Sequence, residues 1–189
     1  LFANEFRFEA EKIQIIKDQN LILAENGTAF SEDSNIEIEA NKFEYDKEKN
    51  LLKAFDKGTA LIKSDNLKIQ FDLMEVDQKK SIIKATGNVK IYDEKKELII
   101  KTNSIVYDKI ENIISSKSKS FLTDKLKNVF RTDNFQYEIN KNILKVENAN
   151  FKDVNNNNFN TPLAFINTKT NKLFGKDVSV NLNNSSFNK

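Results

Sequence analysis

The side chains able to do chemistry in this sequence are almost all carboxylates and amines. It contains no His, no Cys and no Trp. That removes Ser-His-Asp triads, Cys–His pairs, Cys/His zinc sites and disulfides. Acid–base work would fall on Asp and Glu alone. Asp46, Asp77 and Asp108 recur at one position of a repeat, where a polar turn begins. Asp there accepts local backbone N–H groups, so these three are expected to shape turns rather than move protons. No convergent carboxylate pair of the glycosidase kind is marked. The run Asp153-Val154-Asn155-Asn156-Asn157 carries side-chain oxygens, but lacks the Gly and closing Glu of a calcium loop. With Asn155 to Asn158 it reads as a loop between two repeats. No catalytic residue, metal or cofactor is expected.

The amines are balanced by acids. Thirty Lys and Arg face 28 Asp and Glu, a net charge of +2. A nucleic-acid binder would show a basic excess, so nucleic acid is not an expected partner. Lys79-Lys80 and Lys117-Ser118-Lys119 read as solvated turns, or as a rim that meets lipid phosphates. No run of 18 apolar residues is present, so no membrane-spanning helix is expected. Leu1-Phe2-Ala3 reads as the tail of a secretory leader, with Ala3 at the small-residue cleavage position.

What positions these residues is a repeat. Ile13, Phe43, Met74, Ile105, Phe135 and Phe165 stand 30, 31, 31, 30 and 30 residues apart. Two residues after them come Ile15, Tyr45, Val76, Tyr107, Tyr137 and Asn167, and then a polar turn. Apolar residues resume at Leu21, Leu51, Ile82, Ile113, Ile143 and Leu173. Small residues follow at Ala24, Ala54, Ala85 and Ser116. Gly27-Thr28-Ala29, Gly58-Thr59-Ala60 and Gly87-Asn88-Val89 read as one shared pattern. Within each unit the period is two: Ile36, Ile38 and Ala40 alternate with Glu37 and Glu39. Strict alternation predicts strands with one buried face. Turn signals about every 15 residues make each unit a hairpin, giving about twelve strands and no helix.

The alternation changes phase before each anchor: apolar positions run 36, 38, 40 and then 43, 45. An odd step sends side chains to the other face unless the strand bends or bulges. Bulges at one height in neighbouring strands would crease the whole sheet. The prediction is a long antiparallel sheet folded along a line into a V, apolar faces inward. Residues 1–182 form one domain and 183–189 a tail leading toward a further C-terminal domain. A parallel β-solenoid, as in adhesins or polysaccharide-binding proteins, and a closed structural repeat are the alternatives. Alternation does not distinguish a closed core from an open greasy groove.

The unit Ala40-Asn41-Lys42-Phe43-Glu44-Tyr45-Asp46, with Leu52-Lys53-Ala54 and Gly58-Thr59-Ala60, resembles the repeat of OstA-type lipopolysaccharide transport domains. Gln70 to Asp77, with Lys84-Ala85-Thr86-Gly87-Asn88-Val89-Lys90-Ile91, resembles it most. The resemblance implies an all-β, V-shaped, clam-like antiparallel β-jellyroll in the periplasm of a Gram-negative bacterium. Its interior would carry lipopolysaccharide acyl chains, and it would do no catalysis. Six candidate groove-lining residues come from the first half of the sequence stripe: Ile69, Phe71, Met74, Val76, Val89 and Ile91. Six more follow: Ile100, Ile105, Tyr107, Phe130, Phe135 and Tyr137. The sixth unit, Thr161-Pro162-Leu163-Ala164-Phe165 through Leu182, resembles the N-terminal domain of the outer-membrane member, LptD. That implies three partners besides the lipid: an LptA-like bridge protein joined by edge-strand pairing, an outer-membrane barrel of the same chain, and its lipoprotein plug. The soluble bridge type, LptA, is the alternative, because many LptD domains carry Cys and this sequence has none.

Overall fold

A computed structural model describes residues 5–32 and 35–183. The proposed leader remnant at residues 1–3 and most of the 183–189 tail lie outside the described residues. In the first half the strands are β1 (Arg7–Ile16), β2 (Leu21–Ser31), β3 (Ile36–Asp46), β4 (Leu51–Ile62), β5 (Leu67–Phe71), β6 (Leu73–Asp77), β7 (Ile82–Asp93) and β8 (Leu98–Asp108). Then follow β9 (Ile113–Ser116), β10 (Ser120–Thr123), β11 (Val129–Thr132), β12 (Asn134–Glu138), β13 (Ile143–Lys152), β14 (Asn158–Asn167), β15 (Lys172–Lys176) and β16 (Ser179–Asn181). One 3₁₀ turn, Lys17–Gln19, is the only helical element among the described residues.

All sixteen strands belong to one sheet, and each recorded pairing is antiparallel. The parallel solenoid is therefore excluded. Twelve strands were expected, and sixteen are seen because four of the twelve are broken midway. The breaks separate β5 from β6, β9 from β10, β11 from β12, and β15 from β16.

The breaks fall on one line. Along it two pairs of unbroken strands, β3 with β4 and β7 with β8, also lose register. Ala40 pairs Gly58 but Lys42 pairs Phe55, so Asn41 stands against both Asp56 and Lys57. Thr86 pairs Ser104 but Val89 pairs Thr102, so Asn103 stands against both Gly87 and Asn88. These are β-bulges, and the crease predicted from the phase change runs through them. Asn side chains bridge neighbouring strands along the crease: Asn26 Nδ2 donates to the Glu11 carboxylate (2.9 Å), Asn88 Nδ2 to that of Asp72 (2.7 Å) and Asn148 Nδ2 to that of Asp133 (3.2 Å), while Asn41 Nδ2 takes up the Asp56 backbone carbonyl (2.7 Å). Two leaves result. One carries β5, β10, β11 and β16, the other β6, β9, β12 and β15, and the long strands cross between them.

Two register expectations are corrected. Gly87 is not the counterpart of Gly27 and Gly58. Gly58 pairs Phe71 and faces inward, and the residue one repeat later in that row is Val89. Gly87 sits in the bulge with φ +73°, the left-handed region glycine tolerates. In the sixth unit, Phe165 does not hold the anchor position. Ala164 and Ile166 are buried and Phe165 faces out, because β13 pairs Val146 with Ala164.

Gly58 has a packing reason. A Cβ there would overlap the Phe71 ring and lie 2.7 Å from the Glu39 carbonyl oxygen. Gly58→Val is expected to cost about 1–3 kcal/mol by overpacking. Urea denaturation measures it, and Phe71→Leu in the same chain should restore part of the loss. Full stability in the single variant would refute the close packing.

The turns share a second device. Asn20, Asn50, Asn112, Asn142 and Asn171 each close a turn with φ between 50° and 58°. Asn enters this region most readily among non-glycine residues, because its short amide bonds locally. Adjacent turns are then stitched: Lys47 N–H reaches the Asn20 carbonyl, Gln78 the Asn50 carbonyl, Ile139 the Asn112 carbonyl and Thr168 the Asn142 carbonyl.

Candidate functional site: the apolar interior and its seam

Alternation puts one face of each leaf inside. Because cross-strand partners share a face, the inward rows follow from register. In one leaf Ile38, Ala60, Ile69, Ile91, Ile100 and Leu122 run across consecutive strands. In the other, Phe43, Ala54, Met74, Ala85 and Ile105 do so, alternating large with small. All twelve candidate residues are buried, none more than 4% exposed, in one continuous core. Six stand on each leaf. Ile69, Phe71, Val89, Ile91, Ile100 and Phe130 face Met74, Val76, Ile105, Tyr107, Phe135 and Tyr137 across the fold.

The interior is closed opposite the crease by hydrogen bonds between the leaves' turns. The Tyr107 hydroxyl donates to Asp65 Oδ2 (2.7 Å), and Asn112 Nδ2 donates to Asp65 Oδ1 (3.3 Å). The Tyr137 hydroxyl donates to Asp93 Oδ2 (2.6 Å) and accepts from Lys96 Nζ (2.6 Å). Lys96 also donates to the Ile139 carbonyl (3.1 Å) and lies 3.3 Å from Asp93. Nearer the N-terminus, Gln78 Nε2 donates to Ser31 (3.2 Å) while its carbonyl accepts from Tyr45 (3.3 Å). The repeated Tyr therefore has a rim function that periodicity did not reveal. Its body packs inward; the Tyr107 and Tyr137 hydroxyls reach the opposite leaf's turn directly, and the Tyr45 hydroxyl does so through Gln78. Asp65, Asp93, Lys96 and Gln78 were missed in the sequence because their partners lie more than 40 residues away.

Burial and the neighbouring Asp65 push the Tyr107 phenol well above its ordinary value, and burial and Asp93 do the same to Tyr137. Both folded-state values exceed those of the unfolded chain. Their contribution to stability is complete below pH about 10 and is lost as the pH rises beyond it. Tyrosinate absorbance from these two residues is expected only where far-ultraviolet circular dichroism reports unfolding. Ionisation near pH 10 with the sheet intact would refute the seam geometry. Tyr107→Phe and Tyr137→Phe identify the two contributions.

The repeated turn acids do what the sequence predicted. Asp46 Oδ1 accepts the Lys49 N–H (2.8 Å), Asp77 Oδ1 the Lys80 N–H (3.0 Å) and Asp108 Oδ1 the Glu111 N–H (3.0 Å). Bonding to Lys49 holds the Asp46 carboxyl below the usual range. Asp153 turns both oxygens on its own loop, toward the Asn155 and Asn157 N–H groups and Asn157 Nδ2.

The two ends of the interior differ from its middle. Among the described residues β1 pairs only with β2, and β15 and β16 pair only with β14. On β1 the later inward positions are open, Ile13 49% and Ile15 61% exposed, whereas Phe8 still packs on Phe43 and Tyr45 of the other leaf. At the other end Val180 and Leu182 are exposed too. Their strands also present unpaired backbone edges.

Neither the family comparison nor the comparison with curated proteins gives a match to this sequence. The fold does have a known counterpart. The crystal structure of LptH, the LptA-homologous periplasmic component of the lipopolysaccharide transport device of Pseudomonas aeruginosa, superposes with a TM-score of 0.55. The match covers 64% of this chain and 96% of LptH at 15% identity. The chain thus has the LptA-like β-jellyroll fold. No described helix is long and apolar enough to cross a membrane.

Proposed function

We propose that the space between the leaves carries the acyl chains of lipopolysaccharide. The protein then hands this lipid across the periplasm toward the outer membrane, without covalent chemistry. The observation that carries the reading is the interior itself: one apolar core that runs from β1 to β15, with exposed apolar residues beyond it at both ends, Ile13 and Ile15 on β1 and Val180 on β16. Each buried CH₂ stabilises the lipid by ~0.8 kcal/mol, so a continuous apolar path removes most of the penalty of crossing water. The fold shared with a lipopolysaccharide transport component supports the reading.

The unpaired backbone of β1 and of β15 and β16 fits docking by strand addition, which would join the interior of one protein to that of the next. On the finer assignment this is the N-terminal domain of LptD. An LptA-like bridge protein would dock at one edge, and the outer-membrane barrel of the same chain with its lipoprotein plug would receive the lipid. The likeness to LptH favours a second reading, a bridge protein of the LptA type. Both readings use the same interior.

Site-specific photo-crosslinking to purified lipopolysaccharide tests it, with probes at Ile15, Met74, Tyr107 and Tyr137 and controls at Lys79 and Lys117. Adducts at the inward positions and not at the controls are expected. No adduct at any inward position of a folded sample would refute the proposal and leave a closed structural core.

A further inference from the structure

The near-neutral total charge conceals a segregation within one leaf: its first strands direct Glu9, Glu37 and Glu39 outward, and its part from β5 onward does not. In the leaf that carries β5, β10, β11 and β16, cross-strand register places Lys90, Lys101, Phe121, Arg131 and Asn150 in one outward row. Lys68 and Lys152 occupy the next outward row. From β5 onward no strand of this leaf directs an acid outward; its acids lie at the margins, Glu94, Glu97, Asp124 and Asp153 in turns and Asp72, Asp133 and Asp177 at the crease. Among the described residues, Lys68, Lys90, Lys101, Lys119, Arg131 and Lys152 form no ion pair. The other leaf is unlike this. There Glu44, Glu75, Asp77, Asp108, Glu138 and Glu147 interleave with lysines, and Lys53 and Lys145 are paired with Glu75 and Glu147.

Apolar groups stand among these free cations. Phe121 is half exposed, with the Arg131 guanidinium 5.8 Å from its ring centre. At the free margin of the same leaf, two neighbouring turns hold up aliphatic tips: Leu126, 53% exposed between Lys125 and Lys127, and Val154, 61% exposed next to Lys152 and Asp153. Neither tip is floppy by construction. Asp124 takes the Leu126 and Asn128 N–H groups at 2.9 Å, and Asp153 takes those of Asn155 and Asn157 at 2.9 and 2.8 Å.

Unpaired cations on a flat face, an aromatic ring among them and apolar tips at the margin form the pattern of a surface that lies on a bilayer. The cations meet lipid phosphates and the apolar groups enter the headgroup layer. We propose that the outer face of this leaf, with the Leu126 and Val154 tips, is a docking surface for an anionic membrane leaflet. A nucleic-acid strand would meet the same charge but gives no role to the aliphatic tips. The proposal goes beyond the interior lipid path and does not depend on it. It concerns the opposite face of the sheet.

Co-sedimentation with phosphatidylcholine vesicles, with and without phosphatidylglycerol, tests it at low salt. Binding is expected only with phosphatidylglycerol. A cation near such a surface is worth about five-fold in partitioning, so Lys101→Gln/Arg131→Gln/Lys152→Gln should weaken binding on the order of 100-fold. Leu126→Ser/Val154→Ser should weaken it at least several-fold. Lys84→Gln/Lys172→Gln/Lys176→Gln, which removes three cations from the other leaf, should change it less than two-fold. Salt at about 1 M, where the Debye length is about 3 Å, should release the protein. Thermal melts confirm that each variant is folded. Equal loss in the control triple, equal binding to neutral vesicles, or binding to a single-stranded oligonucleotide but not to phosphatidylglycerol vesicles would each overturn the proposal. Interior crosslinks should persist in all three variants, so failure here is distinguishable from failure of the interior reading.

Discussion

Asp93→Ala is expected to destabilise the protein by about 3–5 kcal/mol, because it leaves charge and hydroxyl without their partner at a buried seam. Asp93 is 2% exposed and serves three groups: the Tyr137 hydroxyl, the Lys96 backbone N–H (3.1 Å) and the Lys96 ammonium. Lys96 is itself mostly buried, its side chain 13% exposed. Removing the carboxylate leaves this cation without its counter-ion, held by neutral groups alone: the Tyr137 hydroxyl, the Ile139 carbonyl and the Tyr137 ring, 4.9 Å away. Equilibrium urea unfolding measures the loss. Tyr137→Phe should cost less, about 1–3 kcal/mol, since only hydrogen bonds to one hydroxyl are removed. Asp46→Ala, at an exposed turn carrying a similar Asp–Lys pair, is the contrast and should cost at most about 1 kcal/mol. If Asp93→Ala costs no more than Asp46→Ala, the seam does not hold the leaves together.

Tethering the seam is expected to abolish lipid loading at the middle of the interior, as a second large effect. The buried core, Met74 among it, fills the space between the leaves, so acyl chains can lie beside Met74 only when the leaves part. Parting must break the bonds of Asp65 with Tyr107 and Asn112. The sequence has no Cys, so Asp65→Cys/Asn112→Cys can be joined by a short, reductively cleavable thiol crosslinker without side reactions. Photo-adducts at Met74 should fall at least ten-fold on tethering and return on reduction, while adducts at Ile15, on the open end, should survive. Unchanged loading at Met74 in the tethered protein would mean that lipid threads from the ends and the leaves need not separate.

Much of this was legible from short-range pattern. The 30–31-residue repeat, the period of two and the phase change before each anchor specify hairpins, an inward face and a crease. These are local properties of a strand: alternation is fixed by the pleat, and an odd step demands a bulge. Asp46, Asp77 and Asp108 were readable for the same reason, since their bonds close within three residues. The sixth unit was misread by one residue because Phe165 is the bulkier side chain, whereas register with Val146 makes Ala164 the inward one. Pairing, not size, decides which face a residue takes.

The sequence by itself determined that this protein is a chain of antiparallel hairpins with one apolar face, and placed twelve named side chains on that face. Only the tertiary structure decided that the face closes on itself and that both ends stay open. It also showed which Asp and Tyr clasp the leaves and that unpaired cations gather on one outer surface. The physical reason is range. Pleat, turn and bulge are settled by residues a few positions apart. The clasp between Asp93 and Tyr137 and the row Lys101, Phe121, Arg131 exist only after strands far apart in sequence have been brought into register.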